Sequence, residues 1–288
     1  MPDEAVDVPL APGLYIVATP IGNLADLSLR AADWLRRADL VACEDTRVTR
    51  TLLRHVGSDR PLWSFHDHSP SSRHERLLDA MARRSVALVS DAGTPLISDP
   101  GYGLVREARR RGIPVTTAPG PCAAIAALSI AGLPTDRFFF AGFLPARPTA
   151  RDAAIGDLAR IPGTLILHET APRLTATLEA LARILGDREA AVARELTKRH
   201  EEVVTGPLST LVRRFAAHPP KGELVVLVAP PPRDGALLRP APEEVDRALR
   251  QALSTLPPGK AAARVAQAFG LPREEAFARA LALAQGDA

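Results

Sequence analysis

The residues best suited to chemistry lie in a loop at positions 89–103, with the sequence VSDAGTPLISDPGYG. The loop follows an apolar run at 86–90 that reads as a buried strand, and it is dense in Asp, Gly, Pro and Ser. A loop of this length is uncommon in a compact domain unless it has a function. Gly93 would let a ligand approach the backbone, and Asp91 could accept a hydrogen bond from a ligand amine or hydroxyl. We therefore expect a ligand-binding loop here.

A second loop, at 18–23, contains Pro20 and Gly22 and ends at Asn23, the only asparagine in the chain. It lacks the spacing of the dinucleotide-binding glycine motif and of the Walker A loop. The segment fits either an ordinary strand-to-helix turn or a close approach of the backbone to a ligand.

A third loop, at 117–124, leads through Cys122 into a helix of small residues. Such a helix could seat an adenine ring flat on its backbone. A tight hinge between two domains would have the same composition, and the two interpretations are compatible.

Two charged segments follow predicted strands. Asp45 stands at the start of a predicted helix on which Arg47, Arg50 and Arg54 share one face. Acidic residues there suit the helix dipole, and arginines there suit phosphates, so capping and phosphate binding both remain open.

The second charged segment, ARELTKRHEE at 193–202, contains Lys198, one of only three lysines among the 36 basic residues. A genome rich in G and C explains the excess of arginine. Residues of depleted types that persist, such as Asn23 and Lys198, become candidates for positions where chemistry forbids replacement. A solvated edge is the alternative for this segment.

Histidines cluster at His66, His68 and His74, but no further ligand completes a familiar metal-binding spacing. We expect no metal, and His66 and His68 could instead contact a substrate. The chain has no GxSxG motif, so the sequence gives little support for covalent hydrolysis.

The elements that must position these loops alternate in type. Short apolar runs and helix-period segments at 12–118 predict an α/β domain with a largely parallel sheet covered on both faces. Ligands of such sheets bind at the carboxyl ends of the strands, where the loops above lie. Positions 119–230 predict a second, mixed α/β domain. A proline-rich stretch then leads to a small helix-turn-helix-like extension at 243–288.

Composition excludes several classes of protein. The 288 residues are 46% hydrophobic, too apolar for a disordered chain and long enough for two domains. No run approaches the ~18 to 20 apolar residues of a membrane helix, and the acidic first dozen residues do not resemble a secretion signal. Cys43 and Cys122 are too far apart for a disulfide framework or a cysteine-rich zinc site. The net charge of +3 says little about nucleic acid. We expect a soluble cytoplasmic protein.

Six segments, taken in order, resemble the ribosomal RNA small subunit methyltransferase I family. They read LYIVATPIGNLADLSLRA, ACEDTRVTRTLL, SFHDH, LVSDAGTPLISDPGYGLV, PGPCAAIAALSIAGLPTDRFFFAGFLP and ARELTKRHEEVVTG. The family comprises bacterial 16S rRNA cytidine 2′-O-methyltransferases of the tetrapyrrole methylase superfamily. The resemblance runs from Leu14 to about Val228, and the C-terminal helices are similar to the family's helical extension.

This resemblance implies two α/β domains of the tetrapyrrole methylase type, with S-adenosylmethionine in the cleft between them. It also implies a homodimer that acts on 16S rRNA in the small ribosomal subunit. Carried over residue by residue, the cofactor-binding positions are Pro20, Gly22, Asp91, Ala92, Gly93, Pro95, Cys122, Ala123 and Ala124, with further contacts near His168, Ala193 and Glu223.

Methyl transfer to a ribose hydroxyl would be assisted by a base, or by a cation that lowers the pKa of the hydroxyl. The candidates for this role are Lys198, Glu195, Asp45 and Arg47. RNA contacts are expected at Asn23, Arg47, Arg50, His66, His68 and Arg199.

Two other functions remain open at this point. One is methylation of a corrinoid or porphyrin precursor, which would use the same fold and cofactor. The other is a non-catalytic RNA-binding or assembly factor, which would bind S-adenosylmethionine without transferring its methyl group.

Overall fold

The computed structural model describes residues 9–66, 71–232, 242–269 and 271–285. His68 therefore lies outside the described residues. The chain divides into two compact units, Met1–Pro230 and Pro231–Ala288. Among the described helices, none combines the length and the apolar character needed to cross a membrane.

The first sheet is formed entirely by parallel strands, as the alternating pattern predicts. Its order is β3-β2-β4-β1-β5. The connection that leaves β1 therefore runs toward one side of the sheet, and the connection that leaves its neighbour β4 runs toward the other side. The strands are short and mostly buried, because both faces of the sheet are covered. They are β1 (Gly13–Val17), β2 (Leu40–Cys43), β3 (Leu62–Ser64), β4 (Ser85–Leu88) and β5 (Val115–Ala118).

Four helices cover this sheet, two on each face. Leu35, Leu52 and Leu53 pack one pair against one face, and Leu77 and Leu104 pack the other pair against the opposite face. The first pair is α1 (Leu29–Arg37) and α2 (Thr46–His55), and the second is α3 (Ser71–Met81) and α4 (Tyr102–Arg110).

Capping residues fix where these helices begin and end. Asp45 is the N-cap of α2, and its carboxylate accepts a hydrogen bond from the backbone N–H of Arg47. A carboxylate suits this position because it also interacts favourably with the helix dipole. Gly57 and Gly112 lie just past α2 and α4, and both have φ of +69°, the left-handed conformation that ends many helices.

The second sheet is mixed, with order β6-β7-β10-β8-β9, and only β6 and β7 are parallel. Its strands are β6 (Phe138–Phe143), β7 (Thr164–Thr170), β8 (Glu189–Arg194), β9 (Glu202–Pro207) and β10 (Glu223–Val228). One face is covered by α5 (Ala123–Ile130) and the other by α6 (Pro148–Leu158), α7 (Leu174–Leu185) and α8 (Leu208–Ala217).

The two predicted α/β domains each contain one of these sheets. Both sheets belong to one compact unit, so the predicted boundary between residues 118 and 119 stays a prediction. The other unit contains α9 (Pro242–Leu253), α10 (Pro258–Phe269) and α11 (Arg273–Gln285). Its three helices pack around Leu249, Val265 and Ala276, which confirms that the chain has a helical C-terminal extension.

Candidate functional site

A cleft of about 420 Å³ lies between the carboxyl edge of the first sheet and the second sheet. Loops after β1, β2, β4 and β5 form one wall, and the ends of β7 and β10 and the turn after β8 form the other. A volume of this size is typical of small-molecule sites. The cleft also lies at the carboxyl ends of β1 and β4, where the order of the strands reverses. Sheets of this kind bind ligands at that position.

The loops on the first wall are joined to one another by hydrogen bonds. The backbone N–H of Thr19 donates to the carbonyl of Gly93 at 2.8 Å, and Gly93 donates back to Thr19 at 3.1 Å. The hydroxyl of Thr94 donates to the carbonyl of Pro121 at 2.9 Å. Gly93 adopts φ of +86°, which a residue with a side chain rarely does. The loops after β1, β4 and β5 therefore form one continuous surface.

An ion pair projects from the opposite wall. Lys198 Nζ lies 3.2 Å from Glu195 Oε1 and 3.8 Å from Glu223 Oε2. Glu195 and Thr197 have φ of +47° and +64°, a conformation that a non-glycine residue seldom adopts. Such strain persists only where the surroundings impose it, and it concentrates at functional sites. The turn after β8 is therefore shaped to present this ion pair.

Two glycines make room for the ion pair. A Cβ at Gly22 would lie 2.5 Å from Cγ of Lys198, so the aliphatic stem of the lysine lies directly on the loop after β1. A Cβ at Gly222 would overlap the carboxylate of Glu195. We expected Gly22 to admit a ligand; the group that lies against it is Lys198.

A buried carboxylate fixes the end of β7. Glu169 accepts hydrogen bonds from the hydroxyl of Thr177 at 2.6 Å and from the backbone N–H of Thr170 at 2.8 Å. Arg173 Nε lies 3.3 Å from Glu169 Oε1, and its Nη2 donates to the carbonyl of Leu144 at 2.6 Å. This network ties β7, α7 and the segment after β6 together at the rim of the cleft.

His168 contributes a polar atom to the same wall. Its ring makes edge-to-face contacts with Phe140 and Phe143, at centroid distances of 5.0 and 5.4 Å. Burial lowers the pKa of His168, which favours the neutral ring. Its Nε2 is buried and has no hydrogen-bond partner within the described residues. A buried polar atom of this kind is suited to a hydrogen bond with a ligand.

The lining of the cleft is strongly acidic. Among its described residues, Lys198 is the one lysine or arginine. Apolar surface is supplied by Ile21, Leu196 and Val225. The cleft should therefore attract a cationic ligand and repel phosphate groups. The acidic residues that line it are Glu44, Asp91, Asp99, Glu169, Glu195 and Glu223.

Basic side chains lie instead on exposed positions around this edge. Arg47 is 89% exposed, and its Nη2 lies 2.6 Å from Asp45 Oδ2. Arg50 on α2 and Arg199 after β8 are exposed as well. Asn23 and His66 are also exposed, and Asn23 accepts a hydrogen bond from the backbone N–H of Ala25 at 3.1 Å.

Asp45 is poorly suited to act as a base. The side chain of Arg47 and the backbone at the start of α2 hydrogen-bond to it, and they lower its pKa to about 2. Neither Asp45 nor Arg47 belongs to the described lining of the cleft.

Apart from Asp45, Arg47 and the predicted RNA contacts, the predicted site residues fall into two groups. Those that line the cleft are Asp91, Ala92, Gly93, Cys122, Ala123, His168, Glu195, Lys198 and Glu223. Those that lie in the same loops and strands without lining it are Pro20, Gly22, Pro95, Ala124 and Ala193.

The sequence predictions gave no individual role to several lining residues, among them Glu44, Asp99, Phe143 and Gly222, although Asp99 lies in the predicted ligand-binding loop. They also gave no role to Glu169. One signal could have found its network, because Glu169, Arg173 and Thr177 are spaced four residues apart. That spacing is typical of side chains that meet on one side of a helix.

Comparisons with known proteins agree with this architecture. Residues 13–212 match the family described as Tetrapyrrole (Corrin/Porphyrin) Methylases, and residues 239–284 match the RsmI C-terminal HTH domain. A ribosomal RNA small subunit methyltransferase I from Erythrobacter litoralis is 53% identical over 277 residues, covering 96% of each chain. The chain belongs to this family. The predicted family and the predicted tetrapyrrole methylase fold are thereby confirmed.

Solved structures show the same fold at lower identity. A diphthine synthase is 20% identical with a TM-score of 0.59, over 75% of this chain and 89% of that one. A uroporphyrin-III C-methyltransferase from Thermus thermophilus, complexed with S-adenosylhomocysteine, is 21% identical with a TM-score of 0.52, over 75% of this chain and 92% of that one. At these identities the likeness establishes the fold alone.

Proposed function

We propose that this family member transfers a methyl group from S-adenosylmethionine to 16S rRNA of the small ribosomal subunit. The observation that carries the proposal is that Asp91, Cys122 and Lys198, predicted separately as site residues, line one cleft. Its position matches the place where sheets of this kind bind ligands. The names of the relatives support the choice of ribosomal RNA as the substrate.

The cleft fits S-adenosylmethionine on several grounds. A sulfonium cation suits the acidic lining, and Gly93, with φ of +86° and no side chain, presents its backbone to the cleft. The unpartnered Nε2 of His168 could bond to a polar atom of the cofactor. Asp91, Ala92, Gly93, Cys122 and Ala123 would hold the cofactor, and when bound it supplies a methyl group already activated for displacement.

The protein's own contribution is to align the acceptor and to manage charge. We propose that the Lys198 ammonium stabilises negative charge developing on the acceptor oxygen, since positioned charges are worth most in a site that excludes water. Glu195 holds the lysine in place through the 3.2 Å ion pair. The stem of Lys198 is in turn confined by the backbone at Gly22.

The acceptor atom that we propose is the 2′-oxygen of a cytidine in the decoding region of 16S rRNA. An acidic cleft would exclude phosphates, so a single nucleoside would enter while the RNA backbone stays on exposed Arg47, Arg50 and Arg199. The target nucleotide would have to be unstacked, because its ribose cannot reach the cleft from inside a helix. Asn23 and His66 are placed to contact the flanking RNA.

We also propose a cytoplasmic homodimer. Ribosomal subunits are methylated where they assemble, which argues for the cytoplasm. Exposed apolar side chains on α5 and β6 support self-association, because large exposed apolar residues in neighbouring elements mark contact surfaces. They are Ile125, Ile130, Phe138 and Phe139, each more than 40% exposed.

Mapping of ribose methylation in 16S rRNA from a strain that lacks the gene tests the function. We expect the decoding-region cytidine to lose its 2′-O-methyl group, and purified protein with S-adenosylmethionine to restore it on small subunits. A methyl group that persists in the deletion strain would exclude the proposed site. Transfer to a tetrapyrrole but not to subunits, or cofactor binding without any transfer, would support the two alternative functions.

Removing the rim arginines should weaken RNA binding without affecting the cofactor. In the double variant Arg47→Ala with Arg50→Ala, the slope of log affinity against log salt should fall by roughly one to two units, because each phosphate contact releases counterions. Arg36→Ala with Arg84→Ala is the matched control, since these arginines lie near the opposite edge of the sheet. Equal slopes for the two double variants would show that α2 does not contact RNA.

A further inference from the structure

The inference concerns Asp99, which lies in the loop between β4 and α4 and has no role in the proposals above. Its side chain is partly buried and lines the cleft, as do its neighbours Ile97 and Ser98. Phe143 lines the same part of the site from the second sheet. Asp99 therefore belongs to the cleft in which the acceptor must meet the cofactor.

Unusual backbone geometry brings Asp99 into this position. Leu96 and Ser98 have φ of +75° and +64°. Gly101 has φ of +128°, and a Cβ there would lie 3.2 Å from the side chain of Leu88. Left-handed residues that are not glycine are uncommon, and packing must hold them in place. Two of them on either side of Ile97 turn the chain so that Asp99 faces the cleft.

Asp99 is surrounded by groups that keep it available as a proton acceptor. Burial raises its pKa to about 6, the charges of Glu44 and Asp91 act in the same direction, and the nearby hydroxyl of Ser90 opposes them. A base with a pKa slightly below the working pH is both ionised and able to take a proton. Within the described part of the chain, Asp99 forms no ion pair with a lysine or arginine.

The other charged groups of the cleft each have a partner. On the first wall, Asp91 accepts a hydrogen bond from the backbone N–H of Asp45 at 3.2 Å, and Glu44 Oε1 lies 3.9 Å from His66 Nδ1. Glu195 pairs with Lys198, which also lies 3.8 Å from Glu223. Glu169 is bonded to Thr177 and Arg173. The remaining titratable group on the wall formed by the second sheet is His168, whose Nε2 is buried.

We propose that Asp99 is the general base that accepts the proton of the ribose 2′-hydroxyl during methyl transfer. As the bond between the 2′-oxygen and the methyl carbon forms, the bond between that carbon and sulfur breaks, and its electron pair stays on sulfur. The hydroxyl proton moves to a carboxylate oxygen of Asp99 and then to water. The cationic donor thereby becomes neutral, and the acceptor becomes a methyl ether. This inference rests on the proposed function.

The test is the pH dependence of methyl transfer under single-turnover conditions. Small subunits from the deletion strain serve as substrate, and the full-length protein is used. For the unaltered protein, the rate should fall roughly tenfold for each pH unit below about 6 and be level above it. Asp99→Asn should lower the rate above pH 6 by about 10²-fold, and it should abolish the fall in rate below pH 6, which we call the acidic limb. Asp157→Asn, an exposed position on α6, is the matched control and should behave as the unaltered protein.

Two further variants separate a base from a merely structural carboxylate. Glu44→Gln removes a like charge, so the acidic limb should move to lower pH. Ser90→Ala removes a nearby hydroxyl that lowers the pKa of Asp99, so the limb should move to higher pH. Shifts in these opposite directions would identify Asp99 as the titrating group even if Asp99→Asn also binds the cofactor poorly.

The inference is overturned if Asp99→Asn keeps the acidic limb, or if neither Glu44→Gln nor Ser90→Ala moves it. Failure of the proposed function looks different. In that case the unaltered protein transfers no methyl group to the small subunit at any pH, whereas failure of the Asp99 assignment leaves that transfer intact.

Discussion

Replacement of Lys198 by methionine is expected to lower the rate of methyl transfer by about 10²- to 10³-fold, the effect of removing one preorganised charge or donor from an active site. Methionine keeps most of the apolar stem that lies on Gly22 but loses the ammonium group. Binding of S-adenosylmethionine, measured by calorimetry, should change little, because the loops around Gly93 are untouched. Single-turnover methylation of small subunits gives the rate.

A second variant displaces the same lysine through a change on the opposite wall of the cleft. Gly22→Ala places a methyl group 2.5 Å from Cγ of Lys198, so the lysine must move although its charge is retained. We expect the rate to fall in this variant too. Gly156→Ala on α6 is the matched control, since nothing lies within 4 Å of the added methyl group. Lys198→Met with an unchanged rate would exclude the lysine from catalysis.

Replacement of Glu169 by alanine is expected to reduce the free energy of unfolding by about 2 to 4 kcal/mol, because each buried donor left without its acceptor costs about 1 to 3 kcal/mol. The change leaves the fully buried hydroxyl of Thr177 and the backbone N–H of Thr170 without their acceptor. It also releases Arg173, which holds the carbonyl of Leu144. For a unit of this size the melting temperature should fall by roughly 10 °C.

Glu179→Ala controls for the loss of a carboxylate near the same strand, because Glu179 lies on α7 with its side chain exposed. Exposed substitutions of this kind change stability by less than about 0.5 kcal/mol. Thermal unfolding followed by circular dichroism measures both variants. If Glu169→Ala and Glu179→Ala have the same melting temperature, the buried network does not stabilise the fold.

Much of this architecture could be predicted from the sequence because it depends on local patterns. The alternation of apolar runs and helix periods predicts the parallel sheet, and the carboxyl ends of its strands identify the loops that contain Asp91 and Cys122. Gly57 and Gly112 mark helix ends for a local steric reason. Lys198 could be singled out because lysine is rare in this chain.

The missed residues depend on contacts between distant parts of the chain. Gly222 meets Glu195 only because β10 pairs antiparallel with β8, and no local pattern encodes that pairing. Asp99 lies beyond Leu96 and Ser98, whose left-handed backbone reverses the loop. Leucine and serine rarely adopt that conformation, so the sequence marks the loop as ligand-binding without showing that Asp99 itself faces the cleft.

The paired backbone hydrogen bonds between Thr19 and Gly93 have a thermodynamic consequence for binding. Fixing a loop residue in one conformation costs about 1 to 2 kcal/mol of entropy. Here that entropy is lost when the sheet folds, so it is not subtracted from the affinity of a ligand that enters later. The walls of the cleft are ordered before a ligand binds. The free energy of the ligand's contacts therefore contributes to affinity without being offset by the cost of ordering the loops.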